Sequence, residues 1–441
     1  MAKRFTNKKN QRFYFQNENN KRTSYVLIYG EEVSTLSGEA PSGDEWTRIK
    51  YRGRIGEMKN PSLSTKRCLE MYFLDVGQGD AAFVVTPNNT KILVDGGLKE
   101  RALGFLIWKY RLDEHNTKVT IDYLILSHGD SDHVSGLIPI LKHPKIHINN
   151  ILHNGIAVYS SGFCTELGNV TKDNKLTTLH STLDELKGEK LSAGFAKWTK
   201  AVIDENCNYK SVSAADGVIN IGDRTVQLEV LGPKREPDGK SLSWLGGKSF
   251  TINGHSLVFC LTHGRIRTFF SGDLNTKGSK HLLKDSTIKA KLDAHIFKSP
   301  HHGSHDYYQP LFDAIAPMIT VVSSGDSPDH GHPRALFLGG VGLSGRGKLP
   351  LVFSTEIAAT FVESHEKISD EQTQPTIFGE VDYATAAANK TARLIFKKTL
   401  PGIINVRSTG EHIYTARRVM ASYQWESYGP IEPVEKTKRV E

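Results

Sequence analysis

The segment LSHGDSDHVSG, residues 126–136, constrains this chain more than any other stretch of it. Directly after the apolar run IDYLI it places four cation-binding side chains within six positions, and these are His128, Asp130, Asp132 and His133. A loop that leaves a buried strand lets side chains approach one point from several angles, while the strand fixes the position of the loop. Imidazoles and carboxylates in one cluster suit zinc or manganese, and the two aspartates also favour harder ions such as magnesium. The segment therefore predicts a site for a divalent metal.

Two other strand ends carry residues of the same kind. FFSGD places Asp273 after an apolar strand, and KSPHHGSHD places His301, His302 and His305 after another. Taken singly, an aspartate after Ser-Gly is typical of a turn, and adjacent histidines are typical of a solvated loop. Together they fit one site, because loops that leave the same edge of a mixed sheet can meet.

The pattern along the chain indicates an α/β fold. From residue 69 onward, short runs rich in β-branched and aromatic residues alternate with helical patterns, including one at 180–206 with a break near Gly188. Residues 1–67 are expected to form a basic appendage with one or two strands, and residues 427–441 a mobile tail. The N-terminal 22 residues interleave basic and aromatic side chains as a single-strand nucleic-acid binder does, although a frayed, solvated terminus is the favoured interpretation.

Composition limits the class of protein. The chain has 441 residues, of which 38% are hydrophobic and 24% charged, as in a globular protein with room for insertions. No apolar stretch approaches the roughly 18 to 20 residues of a membrane helix, so we expect a cytoplasmic protein with no membrane partner. The four cysteines lack CxxC spacing and are expected to be reduced thiols. The net charge of +8 makes attraction to a polyanion reasonable without establishing it.

Taken together, these motifs resemble the metallo-β-lactamase superfamily, and most closely the soluble hydrolase domain of ComEC-type DNA-uptake proteins. They run in order through residues 69–425 as FLDVGQGDA, ILVDGG, HGDSDH, NGHSLVFCL, FFSGD, KSPHHGS, HGHP and PGIINVRSTGEHIYTARR. The resemblance implies an αββα sandwich at 68–426, with insertions near 159–215 and 355–395.

The resemblance also implies roles for individual residues. The implied metal ligands are His128, Asp130, Asp132, His133, Asp273 and His302. Asp130 stands where most members have histidine. The usual context of a further histidine ligand is missing, and the candidates for it are His153, His255 and His263. The chain would accordingly hold one or two divalent ions, zinc or manganese in the first place.

Other residues would support the site or act on the substrate. Asp95 would buttress the ligands without binding metal. Asp132 would orient the attacking water and accept its proton, and His301, the alternative ligand to His302, is the second catalytic candidate. Lys298 and His332 would contact a substrate phosphate or donate to the leaving oxygen, although each could equally be a solvated surface residue.

The resemblance favours cleavage of a phosphodiester bond in DNA or RNA, which agrees with the basic charge of the chain. One alternative is a phosphodiesterase for cyclic or other small signalling nucleotides, which a narrow pocket closed by the inserted helices would favour. A second is a non-catalytic binding or assembly module that keeps the fold. A freestanding nuclease would need control, so a regulatory protein partner is a further hypothesis.

Overall fold

The computed structural model describes residues 1–36, 45–114, 117–325, 331–348, 350–355, 402–418 and 425–436. The strands are, in chain order, β1 (Ala2–Thr6), β2 (Gln11–Gln16), β3 (Arg22–Leu27), β4 (Glu32–Thr35), β5 (Trp46–Tyr51), β6 (Arg54–Lys59), β7 (Leu63–Ser64), β8 (Leu69–Phe73), β9 (Ala82–Val85), β10 (Lys91–Val94), β11 (Val119–Leu126), β12 (Ile146–His153), β13 (Lys175–Leu176), β14 (Asn208–Ser211), β15 (Val218–Ile219), β16 (Val226–Gly232), β17 (Leu242–Ser243), β18 (Val258–His263), β19 (Ile266–Phe270), β20 (Ile296–Lys298), β21 (Ile319–Val322), β22 (Leu351–Ser354), β23 (Ile404–Ser408), β24 (Ile413–Arg418) and β25 (Trp425–Ile431). The α-helices are α1 (Arg101–Tyr110), α2 (Ser131–Val134), α3 (Leu137–Leu141), α4 (Ala193–Glu205), α5 (Lys248–Gly254), α6 (Thr276–Leu283), α7 (Ser286–Lys289), α8 (Gln309–Ile315) and α9 (Ala335–Ser344).

Two sheets pack face to face at the centre of the molecule. One has nine strands in the order β14-β12-β11-β10-β9-β8-β23-β24-β25, and the other has seven in the order β15-β16-β18-β19-β20-β21-β22. The alternation of side chains along β8 shows why they associate: Met71 and Phe73 are buried against the opposite sheet with Phe259 and Phe270, while Tyr72 faces the other way.

Helices cover the outer faces of both sheets. Residues of α1, α3 and α4 share one apolar cluster with the nine-stranded sheet, and residues of α6, α8 and α9 share another with the seven-stranded sheet. The four layers are the αββα sandwich expected from the resemblance. The helical prediction at 180–206 is confirmed, because a 3-10 turn at Asp184–Leu186 precedes α4, which buries Phe195 and Trp198. The predicted insertion near 355–395 lies, beyond Thr355, outside the described residues.

The strands that carry the conspicuous motifs end at one edge of the sandwich. In the first sheet β10, β11 and β12 run parallel, and in the second sheet β19, β20 and β21 run parallel. Loops at the carboxyl ends of parallel strands are where α/β folds commonly place their sites. The sandwich therefore brings the motifs after β10, β11, β19 and β20 together.

The N-terminal residues form a third sheet, so the prediction of one or two strands there is wrong. Seven strands pair in the order β3-β2-β6-β5-β4-β1-β7 and enclose a small core of their own that includes Phe13, Phe15, Ile49 and Met58. The prediction of a frayed, solvated N-terminus is wrong as well, because residues 2–6, 11–16 and 22–27 form strands. The alternation of basic and aromatic residues is that of strands with one buried face. Residues 427–431, assigned to a mobile tail, belong to β25.

A buried ionic network joins the N-terminal sheet to the sandwich. Glu70 of β8 contacts Arg67, and it lies 3.3 Å from Lys109 Nζ and 3.4 Å from Arg407 Nη1. Arg67 also forms an ion pair with Glu32 of the N-terminal sheet, and Arg407 forms one with the neighbouring Glu31. The four cysteines are free thiols, as expected. Among the described residues, no helix combines the length and the apolar character needed to span a membrane.

Candidate metal centre

The sharp turn after β11, together with the short helix α2 that follows it, carries the first half of the site. His128 and His133 are both fully buried, whereas the Asp132 side chain between them keeps 18% of its surface exposed. Gly79 packs directly on this turn: its φ is +97°, and a Cβ there would lie 1.8 Å from the Asp132 carbonyl oxygen. Only glycine allows the two backbones to approach so closely. The loop before β9 therefore holds the metal-binding turn in place.

Two distant loops bring the second half of the site to the same point. Asp273, which follows β19, places Oδ1 3.4 Å from His133 Nε2 and Oδ2 3.2 Å from His302 Nε2. His302, which follows β20, also lies 3.3 Å from Asp132 Oδ2. His128 belongs to a further cluster with His133 and Asp273 whose ligand atoms lie within 4.8 Å of one another. Asp132, Asp273 and His302 thus converge, as the sequence interpretation requires.

Asp95 fixes the orientation of His133 and lies behind it. One carboxylate oxygen accepts the Ser127 amide at 2.8 Å, and the other accepts the Ser127 hydroxyl at 2.7 Å and lies 2.9 Å from His133 Nδ1. A carboxylate on the far ring nitrogen fixes the tautomer of a histidine and leaves its other nitrogen for a metal. These are the contacts of a supporting residue, although its role in catalysis stays a prediction.

The site includes Asp80, to which sequence reasoning assigned no role. This buried carboxylate lies 3.3 Å from His302 Nδ1 and is ion-paired with Lys298, whose ammonium also donates to the Ser299 carbonyl at 2.7 Å. Asp80 stands behind His302 as Asp95 stands behind His133. The only signal was its place in FLDVGQGDA, because its partners lie more than 200 residues further along the chain.

The donor set fits a divalent cation. Buried polar atoms without a hydrogen-bond partner include Nε2 of His128, His133 and His302 and Oδ1 of Asp273. Buried polar groups are normally satisfied, because an unpaired one costs on the order of 1–3 kcal/mol. Three imidazole nitrogens and a carboxylate oxygen facing the same space are the ligands that zinc prefers, and the added carboxylates suit manganese too.

The electrostatics of the site point the same way. Burial alone would lower the pKa of His133, but Asp273, Asp95 and Asp132 raise that pKa well above its usual value. Burial alone would also lower the pKa of His302, but Asp273 and Asp80 raise that pKa well above its usual value. Burial raises the pKa of Asp273, yet His302 and His133 bring it well below its ordinary range. The cluster thus favours added positive charge, which a dication supplies.

Several other candidates lie beside this cluster. Asp130 is one-third exposed and lies 3.6 Å from His128 Nε2, and it joins none of the compact ligand groups of the described residues. The rings of His301 and His332 lie within 6.1 Å of each other, and each is 6.1 to 6.4 Å from that of His302. They border the site without sharing its ligand space. His305 is exposed, and His330 of the HGHP motif lies outside the described residues.

The candidates for a further histidine ligand are engaged elsewhere. His153 contacts the Tyr209 hydroxyl at 2.9 Å, and burial lowers its pKa to about 3. His255 lies 2.7 Å from the Ser243 carbonyl, and His263 lies 3.0 Å from the Ser408 hydroxyl. Within the described part of the chain none of the three joins a ligand group. Lys298 is likewise committed to Asp80, and its contact with substrate stays a prediction.

Replacing Asp95 by asparagine should weaken metal binding about 10- to 100-fold. Asparagine accepts the positive φ of 55° at this position, so the backbone should be retained while the charge behind His133 is lost. Competition with a chromophoric chelator measures the affinity. The matched control is Asp204→Asn on the exposed side of α4, and equal affinity of the two variants would contradict the supporting role.

Comparisons with known proteins agree with the fold. Residues 74–154 match the family model described as the metallo-beta-lactamase superfamily. ComE operon protein 3 of Bacillus subtilis (strain 168) is 26% identical over 291 residues, which cover 62% of this chain but only 30% of that protein. The match therefore spans less than a third of the length of that relative.

Solved structures give weaker likenesses. The metallo-beta-lactamase SMB-1 bound to 2-mercaptoethanesulfonate is 14% identical, with a TM-score of 0.29 over 52% of this chain and 76% of that one. A long form RNase Z from yeast is 9% identical, with a TM-score of 0.28 over 58% of this chain and 37% of that one. The family match and the four-layered architecture lead to one conclusion: residues 74–154 are similar in sequence to the metallo-beta-lactamase superfamily, and the αββα sandwich around them agrees with that similarity.

Proposed function

We propose that this chain is a metal-dependent nuclease that hydrolyses phosphodiester bonds in DNA or RNA. The observation that carries the proposal is the position of Asp273, whose two oxygens face His133 and His302 separately. A carboxylate placed in this way can serve two neighbouring ligand groups. Two adjacent divalent ions suit an in-line phosphoryl displacement, since they stabilise both the attacking and the leaving oxygen.

A bound divalent ion would supply the acidity that turns water into a nucleophile near neutral pH. The chain itself would supply orientation and proton transfer. Asp132 lies 3.3 Å from His302 and is the most exposed carboxylate of the compact cluster, so it can orient water and accept its proton. His301 and His332, whose ring centroids are 6.1 Å apart, would be the candidates to donate a proton to the leaving oxygen.

The surroundings of the site favour a polymer over a small nucleotide. Helix α6 begins three residues after Asp273 and carries Lys277 and Lys280. The Lys277 ammonium lies 3.8 Å from the ring centroid of Phe250, which is 41% exposed, and the Lys280 ammonium lies 5.3 Å from that of Tyr308. Paired cations and aromatic rings suit phosphates and bases together. We call these four residues the α6 rim.

Changing both lysines of the α6 rim to glutamine should raise the KM for an oligonucleotide about tenfold at 50 mM salt and leave kcat nearly unchanged. Removing two phosphate contacts should also flatten the salt dependence of binding by about 1.4 in the log–log slope for single strands. Initial rates at several salt concentrations measure both effects. The control Lys200→Gln removes an exposed lysine from α4 and should change neither.

The alternatives are separated by a substrate panel. The purified chain is incubated with labelled single- and double-stranded DNA, RNA and cyclic dinucleotides in Mn²⁺, Mg²⁺ or Zn²⁺, beside Asp132→Ala. Cleavage of cyclic dinucleotides alone would replace the nuclease by a small-nucleotide phosphodiesterase. Hydrolysis of none of them would favour the non-catalytic module, whose weakness is that it leaves the buried ligand atoms without a purpose. The cytoplasmic location and the regulatory partner stay predictions.

A further inference from the structure

The N-terminal sheet has an outer face whose chemistry nothing in the metal centre uses. The alternation that buries Phe13 and Phe15 points Arg12, Tyr14 and Gln16 of β2 away from the small core. The strand register places the following residues of β3, β5 and β6 on the same side: Arg22, Ser24, Val26, Trp46, Arg48, Lys50, Ile55, Glu57 and Lys59. We call these twelve residues the outer face.

The outer face is strongly basic. Five of its residues are basic, namely Arg12, Arg22, Arg48, Lys50 and Lys59, and one, Glu57, is acidic. Lys59 forms an ion pair with Glu45 in which both side chains are more than half exposed, and such pairs neutralise little in water. A surface of this kind attracts a polyanion and gains free energy by releasing its counterions.

A cluster of three flat side chains on the outer face indicates which kind of polyanion it suits. The Arg22 guanidinium lies 5.0 Å from the ring centroid of Tyr14 and 5.2 Å from that of Trp46, and the two rings meet edge to face at 5.6 Å. Three flat side chains from three strands thus adjoin one another between basic residues. Nucleic-acid bases stack on such side chains, whereas a lipid surface or an acidic peptide has no need of them.

We propose that the outer face binds single-stranded nucleic acid, with bases stacked on Tyr14, Arg22 and Trp46 and phosphates on the surrounding basic residues. The choice of a nucleic acid as the polymer rests on the proposed nuclease function. The N-terminal sheet is attached beside Glu70, at the start of β8, whereas Asp80 and the metal centre lie beyond its other end. Five residues of strand span about 16 Å, so the face would hold a long substrate without touching the scissile bond.

The test measures binding without hydrolysis, so its result does not depend on whether the chain is a nuclease. The full chain in EDTA is titrated into a fluorescent single-stranded 20-nucleotide DNA, the corresponding duplex, and phosphatidylserine vesicles. We expect the single strand to bind most tightly. Trp46→Ala should weaken that binding about 5- to 150-fold, the range of one lost stacking contact, and Trp46→Phe should restore much of it.

Matched variants separate stacking from charge and from folding. Ile203→Ala alters an exposed apolar residue of α4, outside the outer face, and should leave affinity unchanged, while Arg12→Gln should lower the salt slope by about 0.7. If Trp46→Ala lowers thermal stability, the exposed Arg22→Gln carries the test. Single-strand affinity unchanged in the stack variants, equal affinity for duplex, or tighter binding to vesicles would each overturn the proposal. Binding in EDTA that is followed by no cleavage once Mn²⁺, Mg²⁺ or Zn²⁺ is supplied would instead overturn only the nuclease.

Discussion

Asp273→Asn should reduce hydrolysis by at least about 10³-fold in kcat/KM. The substitution keeps the size of the side chain but removes the negative charge that faces both His133 and His302, so the affinity for the ion and the stabilisation it gives should both fall. An effect of several kcal/mol on charge stabilisation corresponds to about three orders of magnitude. Initial rates on a single-stranded oligonucleotide and on bis(4-nitrophenyl) phosphate, with the metal content of each preparation, measure the change.

The matched control for this substitution is Asp204→Asn, an aspartate on α4 whose side chain is 53% exposed. It should keep full activity and a full complement of metal. Asp273→Asn should still fold, because the carboxamide keeps the size of the side chain, its NH2 group can donate to one neutral imidazole and its oxygen can accept from the other. An active Asp273→Asn variant would contradict the proposed centre outright. Loss of activity with undiminished metal content would assign Asp273 to the chemistry rather than to binding.

The convergence of the loops at the candidate metal centre was largely predictable, because each loop has a recognisable local sequence pattern. HGDSDH, FFSGD and KSPHHGS each follow a run of apolar residues, and a buried strand with a polar end constrains the loop that leaves it. Their convergence could be predicted because the carboxyl ends of parallel strands lie at the same edge of a sheet. The position of Asp130 was harder to predict: it stands inside the motif, but it is the N-cap residue directly before α2, and its side chain is one-third exposed.

Contacts across long sequence separations were beyond the reach of local patterns. The role of Asp80 becomes evident only from its contacts with Lys298 and His302. The pattern GQGD by itself is typical of a turn. The N-terminal sheet was missed for a related reason. Its strands are four to six residues long except for the two-residue β7, and each shows one polar face, so the sequence gives the same mixture that a solvated segment gives. The core becomes evident only once the strands are paired, as where Phe13 lies opposite Met58 across β2 and β6.

The buried network at Glu70 supports the second large prediction. The carboxylate is almost fully buried, and the Tyr72 hydroxyl donates to it at 2.7 Å. Burial raises the pKa of Glu70, but Lys109, Arg407 and Arg67 outweigh burial and lower that pKa to about 2. The carboxylate is therefore the common counter-ion of three cations at the junction between the N-terminal sheet and the sandwich.

Glu70→Gln should lower the free energy of unfolding by about 3–5 kcal/mol at pH 7, because it leaves three buried cations without their shared partner. Glu166→Gln is the matched control, because Glu166 forms its ion pair with Lys248 at the surface, where the carboxylate is solvated. This substitution should change the free energy of unfolding by no more than about 0.5 kcal/mol. Denaturant titrations of both variants measure the difference.

The same carboxylate should govern part of the acid sensitivity of the protein. A group whose pKa is lowered on folding stabilises the folded state fully above its ordinary pKa of 4.5, and this contribution is lost as the pH falls toward the folded value of about 2. Stability of the wild type should therefore decline between pH 5 and pH 3 more steeply than that of Glu70→Gln, which has no such proton to take up. Parallel slopes in this window would mean that the three cations are neutralised by other carboxylates, Glu31 and Glu32 foremost, and that Glu70 is not their principal partner.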